Sequence, residues 1–323
     1  MYFPQYRPRR MRQSPAFRDF IRETTFDVSR LIYPLLVSHG ADVRQLVASM
    51  PGVHTFSINR LVDEAHEVAE LGIGSVLLFG IPAHRDEAAT EAYDSEGVVQ
   101  LAVRALHDQV PELTVIADVC LCGYMSHGQC GVVRDGFVDN DLTLELLAKT
   151  SVSLGEAGVD ALSPSDMMDG RISAIRSALD QEGFINVPII SCSTKYDSSL
   201  YAPFREATNL APVSPERDTY QLDPANTDEG VREAMMDIEE GADMIMVKPA
   251  MGYLDLVWRL KTEGRFPVAV FNVSGEYAMV KAAAERGWID EQSTVLELLL
   301  SMRRAGADAI ITYHAKDAAR WLE

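Results

Sequence analysis

Residues 240–248 read Glu240-Gly241-Ala242-Asp243-Met244-Ile245-Met246-Val247-Lys248. The glycine suits the left-handed cap that ends a helix. The next four apolar residues are too few for a helix and suit a strand buried on both faces. The same helix-end, glycine, acid, apolar-run order recurs at Glu156-Ala157-Gly158-Val159-Asp160 and at Arg304-Ala305-Gly306-Ala307-Asp308. Outward from these points, eight apolar runs are legible: Leu31 to Val37, Ser75 to Phe79, Thr114 to Val119, Val159 to Leu162, Val187 to Ile190, Met244 to Val247, Val268 to Val273 and Ala309 to Thr312. Between them, Arg60 to Leu71, Gly97 to His107, Leu142 to Glu156 and Gly230 to Glu240 carry apolar residues at the three-four spacing of amphipathic helices. Eight strand–helix units in about 290 residues match an α/β (β/α)8 TIM barrel. A doubly wound sheet is the alternative, weakened because no Gly-x-Gly-x-x-Gly follows a strand.

The chain has 323 residues, 47% hydrophobic and 24% charged, with a net charge of −19. That charge disfavours nucleic acid or an anionic membrane as partner, and no apolar run reaches 18 residues. Four cysteines in a chain this long do not make a disulfide scaffold, so the chain reads as a soluble, cytoplasmic enzyme. The first thirteen residues differ, with Arg7, Arg9, Arg10 and Arg12 and no acid. A transit peptide and a disordered tail are alternatives. An N-terminal arm over residues 1–25, lying on an acidic neighbouring subunit, fits better, with the catalytic barrel over 26–323.

In such a barrel the active site gathers at the C-terminal ends of the strands. There the sequence places Asp118 and Cys120, Ser165 and Asp166, Lys195, Lys248, Ser274 and Glu276, and Tyr313 and His314. Lysine is scarce, six in all, and two of the six fall at strand ends. A lysine closing a buried strand is desolvated, and a second ammonium nearby lowers its pKa further, the arrangement used for Schiff-base chemistry. A snorkelling or anion-binding lysine is the alternative for Lys248 alone; the pair favours the imine. Cys120-x-Cys122-x7-Cys130 is the strongest metal signal, because three thiolates suit Zn²⁺ and leave a fourth position open. His127 as a fourth ligand and inert buried thiols are the alternatives, and Cys192 reads as a core residue. The long stretch 197–225 reads as a lid, on which Arg205 and Arg217 suit carboxylate recognition; surface arginines are the alternative.

Taken together, Cys120-x-Cys122-x7-Cys130, Ser163-Pro164-Ser165-Asp166-Met167-Met168-Asp169-Gly170-Arg171, Met246-Val247-Lys248-Pro249 and Val273-Ser274-Gly275-Glu276-Tyr277 resemble the porphobilinogen synthase (delta-aminolevulinic acid dehydratase) family. The resemblance runs from about Arg7 to the C-terminus. It implies a homo-octamer that condenses two 5-aminolevulinate molecules to porphobilinogen, with loss of two waters, in tetrapyrrole (heme) biosynthesis. By the same resemblance Lys248 forms the Schiff base, and Lys195 forms its own imine or acts as acid/base. Ser274 and Tyr313 hold the first substrate's carboxylate, while Arg205, Arg217 and Gln221 surround the second's. Asp118, Ser165 and Asp166 line the first site, Cys120, Cys122 and Cys130 bind catalytic zinc, and Glu233 falls where some bacterial members bind allosteric Mg²⁺. This chain departs from the pattern at Asn272, where glutamine is common, at His314, where tyrosine or phenylalanine is usual, and at Cys192, often tyrosine. A second zinc site of some members is not secured, because Thr219 stands where its cysteine would be. Without the resemblance, an aldolase-type Schiff-base lyase and a non-catalytic zinc-binding barrel are the competing readings.

Overall fold

The computed structural model describes residues 2–210 and 217–322. Eight parallel strands, β1 (Leu31–Ser38), β2 (Ser75–Ile81), β3 (Thr114–Val119), β4 (Ala161–Pro164), β5 (Ile190–Lys195), β6 (Met244–Lys248), β7 (Val268–Asn272) and β8 (Ala309–Thr312), pair in the order β4-β3-β2-β1-β8-β7-β6-β5. A parallel bridge between Leu162 and Ile189, with the Leu162 N–H donating to the Pro188 carbonyl at 3.0 Å, brings β4 to β5. The two ends of the sheet therefore meet, and the architecture is the (β/α)8 barrel rather than an open doubly wound sheet.

Helices α1 (Ile58–Glu70), α2 (Val98–Gln109), α3 (Asn140–Glu156), α4 (Arg171–Gln181), α5 (Thr227–Glu240), α6 (Leu254–Arg259), α7 (Ser274–Glu285), α8 (Glu291–Ala305) and α9 (Ala315–Leu322) follow the strands. On α1, Leu61, Val62, Ala65 and Val68 are the apolar face turned inward, and each buried Leu or Val contributes roughly 1.5–3 kcal/mol. Asp139 starts α3 by accepting the Leu142 N–H (3.1 Å), and Asp290 starts α8 by accepting that of Ser293 (2.8 Å). Strand residues alternate between two cores. Leu31, Tyr33, Leu35 and Val37 pack under the helices, whereas Ile32, Leu36, Leu77, Ile116, Met246, Phe271 and Ile311 fill the barrel.

The repeated glycine–acid signal has a definite structural role. Gly158, Gly241 and Gly306 have φ of 93°, 111° and 119°, which a side chain would strain. Two residues later, each Asp clamps one residue of the preceding strand region with both its groups. The Asp160, Asp243 and Asp308 N–H groups donate to the carbonyls of Val115, Ile189 and Val268. Their carboxylates accept the N–H of those same residues at 2.7, 2.8 and 2.9 Å. This clamp accounts for two shifted boundaries: Val159 and the segment from Val187 to Ile189 lie before the strands, which begin at Ala161 and Ile190. β5 then runs through Ser191 to Lys195, and its polar groups are satisfied locally. Ser191 Oγ donates to Asp237 (2.6 Å), and Thr194 Oγ1 donates to the Met246 carbonyl (3.1 Å).

At the N-terminus, helical turns at Pro8–Arg12 and Pro15–Phe20 bury none of their residues, and Tyr2, Phe3, Tyr6, Phe17 and Phe20 are exposed. Among the described residues no helix is long and apolar enough to cross a membrane. The stretch 197–225 carries a short helix, Ala202–Ala207, and a turn at Arg217–Thr219; residues 211–216 of it lie outside the described residues.

Candidate active site

A cavity opens at the C-terminal mouth of the barrel, lined by Asp118 from β3, Ser165 after β4, Lys195 from β5, Lys248 from β6, Ser274 at the start of α7 and Tyr313 after β8. Cys120, Cys122, Arg205 and Arg217 also line it. The two lysines are in-register neighbours on β5 and β6. Lys248 Nζ lies 4.4 Å from the centre of the Phe271 ring, 5.7 Å from Tyr201 and 5.8 Å from Phe79. Burial, and then the Lys195 ammonium, hold Lys248 below the usual lysine range. Burial also acts to lower Lys195, but the charge of Cys130, Cys120 and Cys192 outweighs it and holds Lys195 above that range. Its Nζ donates to the Ser165 carbonyl. Ser165 Oγ in turn donates to Asp118 Oδ1 at 2.6 Å. Burial raises Asp118 from its ordinary value, against the pull of Lys248, Ser165 and Lys195.

Ser274 Oγ donates to the Leu200 carbonyl and accepts the Phe204 N–H, both at 3.1 Å. The Tyr313 hydroxyl and the Nε atoms of Arg205 and Arg217 are buried without a partner. Unpartnered buried donors around one cavity are what an anionic ligand would satisfy.

The three cysteines converge. All are free thiols, with Cys120 and Cys122 Sγ 3.4 Å apart and all three sulfurs within 4.8 Å of one another. Tetrahedral zinc at ~2.3 Å from each sulfur requires sulfurs roughly 3.8 Å apart, so this donor set fits the ion. Thiols of Cys120 and Cys122 directed at Cys130, helped by Arg217 and Lys195, hold Cys130 well below the usual thiol range. His127 stands outside the cluster, its Nδ1 accepting the Gln129 N–H at 3.1 Å. Cys192 is buried inside the barrel, where burial raises its pKa. Glu291, His314 and Asp317 also approach one another, but the Lys281 ammonium already lies 2.5 Å from Glu291 and 2.8 Å from Asp317, so this cluster is an ion pair.

Four sequence candidates lie away from the cavity lining, one of them Cys130, which joins the other two cysteines from outside it. Asp166 turns behind Ser165 toward Arg171 (3.8 Å) and accepts the Met168 N–H at 2.8 Å; burial pushes it up to about 6. Gln221 and Glu233 line a second cleft together with Asp169 and Glu229. Burial, then the charge of Asp169, raises Glu233.

Sequence reasoning missed an aromatic wall, the contacts of Arg171 and the tie made by Glu276, a residue it had placed at the strand ends. Phe79, Phe204, Phe271 and Tyr201 form an aromatic wall; for Phe79 and Phe271, on β2 and β7, alternation along the strand was the available signal. Arg171 is fully buried and joins Asp237 (3.0 Å), Ser191 Oγ (3.2 Å) and the Cys192 carbonyl (3.4 Å), holding β5 against the loop after β4. Glu276 ties the end of β6 to the end of β7: its carboxylate accepts the N–H groups of Met251 (2.5 Å) and Val273 (2.7 Å) and Asn272 Nδ2 (3.1 Å).

Residues 5–321 match the family model described as delta-aminolevulinic acid dehydratase. The chain belongs to this family. It is 52% identical over 316 residues to the delta-aminolevulinic acid dehydratase of Bacillus subtilis, covering 98% of each chain. To that of Synechocystis it is 53% identical over 325 residues, covering 99% of each. Among solved structures it is similar to the delta-aminolevulinic acid dehydratase (porphobilinogen synthase) of Toxoplasma gondii in complex with the reaction product porphobilinogen. That likeness has a TM-score of 0.96 and 44% identity, and covers 99% of this chain and 92% of that one. In barrels of this fold active sites gather at the C-terminal ends of the strands, the end at which this cavity and both lysines lie.

Proposed function

We propose that this chain joins two molecules of 5-aminolevulinate into porphobilinogen with loss of two waters, with Lys248 forming an imine with the first. The observation that carries this reading is the in-register lysine pair in an aromatic-walled cavity. Because burial and Lys195 lower Lys248, its free-amine form, which can attack the substrate's ketone carbon, is easier to reach than that of an ordinary lysine. The carbonyl oxygen leaves as water, and Lys195, which stays an ammonium, is placed to give the proton that this departure needs. Asp118, with Ser165 donating to it, is the carboxyl neighbour of both lysines. Bound side by side, the two substrates react as one molecule, an advantage of roughly 7–11 kcal/mol.

Ser274 and Tyr313 are assigned to the first substrate's carboxylate, Arg205 and Arg217 to the second's; the unpartnered donors of Tyr313, Arg205 and Arg217 support this. Gln221 belongs with the second group only if the lid brings it over from its own cleft. Cys120, Cys122 and Cys130 would hold Zn²⁺, which when bound supplies Lewis acidity and a template for the second substrate. Glu233, raised by burial and by Asp169 in an acidic cleft, is the place for a regulatory Mg²⁺. A cytoplasmic homo-octamer completes the proposal. The arginines and exposed aromatics before residue 25, set against a chain of net charge −19, support an arm that reaches a neighbouring subunit. The experiment is colorimetric detection of porphobilinogen from 5-aminolevulinate. One product per two substrates consumed is expected; no product from metal-replete protein overturns the reading.

A further inference from the structure

Two stretches that line the cavity are joined by a side chain that lies outside it. Arg85 sits in the loop after β2, and the backbone beside it is fastened to the cysteine loop. The Asp86 N–H donates to the Tyr124 carbonyl (3.2 Å), and the Ser126 N–H donates to that of Asp86 (3.0 Å). From this base the guanidinium directs all three nitrogens at backbone carbonyls. Nε donates to Gly123 (2.8 Å), Nη1 to Asn209 (2.8 Å) and Nη2 to Thr208 (2.5 Å). Gly123 directly follows Cys122, while Thr208 and Asn209 directly follow the helix Ala202–Ala207 that carries Arg205. One planar fork therefore spans the cysteine loop and the limb bearing a cavity arginine, a geometry that a lysine's single ammonium does not reproduce. The far limb of the same stretch has its own ties: Arg217 Nη2 donates to the Gly128 carbonyl (2.8 Å), and the Tyr220 hydroxyl donates to Gln129 Oε1 (2.7 Å).

We propose that Arg85 is a positioning residue that pins the 202–210 limb to the cysteine loop and so keeps Arg205 at the cavity. The pin couples two parts of the site. Anything that orders the cysteine loop also holds the limb, and a held limb tightens binding of whatever the thiols take, because such coupling is reciprocal. The coupling to metal rests on the proposed role of Cys120, Cys122 and Cys130; the pin itself does not.

The test compares full-length wild type, Arg85→Ala and Arg85→Lys in the zinc-loaded form. Hydrogen exchange within residues 202–210 should quicken about tenfold or more in Arg85→Ala, with a smaller effect in Arg85→Lys. That corresponds to the loss of about one net charge-assisted hydrogen bond or more. KM for 5-aminolevulinate should rise about tenfold while kcat changes less than threefold, because the limb holds substrate and does not touch the reacting carbon. Zinc affinity, read at equilibrium against a competing chelator, should fall in the same order of variants. Unchanged exchange in 202–210 overturns the pin. Faster exchange with KM unchanged overturns its positioning role. Should Arg85→Ala fail to fold, Arg85→Lys, which keeps the charge and loses the fork, decides alone. Exchange is read without turnover, so a failure of the proposed reaction would leave this result standing and separately legible.

Discussion

Replacing Glu276 with glutamine should change how stability responds to pH, and the size follows from its surroundings. Its side chain is fully buried between the loop after β6 and the start of α7. Burial outweighs the hydrogen bonds from Met251, Val273, Ala250 and Asn272, and raises the carboxyl from 4.5 to about 7. The folded protein therefore holds this proton more tightly than the unfolded chain does. The resulting stabilisation is complete below about pH 4.5 and is lost as pH rises through about 7. A rise of that size is worth about 3 kcal/mol. Glutamine keeps the shape and does not titrate. The stability of wild type relative to Glu276→Gln should thus fall by about 3 kcal/mol between pH 4.5 and 8. Groups common to both proteins, including the thiols, cancel in the difference. Urea unfolding followed by fluorescence of Trp258, Trp288 and Trp321 at several pH values measures it. A difference that stays constant across that range would refute the buried-carboxyl argument.

Chelation of the metal should abolish porphobilinogen formation without unfolding the barrel, and Zn²⁺ should restore it. X-ray absorption of the restored protein should show sulfur at about 2.3 Å, and loading should decline in mild acid because the thiolates must be deprotonated; full activity in metal-stripped protein contradicts this. At the opposite end of the barrel, Asp308→Ala removes the acceptor for the Val268 N–H and the partner of Lys261. Unfolding free energy should drop by about 1–2 kcal/mol with kcat unchanged, read by melting and by turnover; a catalytic loss without destabilisation would contradict the clamp.

How far the sequence could be read follows from which signals are periodic or compositional. Lys248 was legible because a rare lysine ends a buried apolar run, and the thiol cluster because its spacing stands out in a cysteine-poor chain. The glycine–acid repeat marked strand starts, but the clamp that moves the fourth and fifth strands two or three residues on depends on contacts across the sheet. Ser165 and Asp166 are adjacent, so the chain turns them to opposite sides: Ser165 meets Asp118, and Asp166 faces Arg171. Both lie past the end of β4, where no strand alternation announces which way each side chain turns. Arg85 gave no signal at all. It lies in the polar run His84-Arg85-Asp86-Glu87, where an arginine ordinarily reads as solvated, and its partners are backbone carbonyls distant in sequence.

The central claim is that Lys248 is the amine that captures substrate. Borohydride added to the protein with 5-aminolevulinate, followed by peptide mass analysis, tests it most directly. The account predicts a reduced adduct on Lys248, no turnover in Lys248→Ala, and none in Lys248→Arg, whose guanidinium cannot serve as the nucleophile. Adducts confined to other lysines, or turnover surviving in Lys248→Ala, would contradict it.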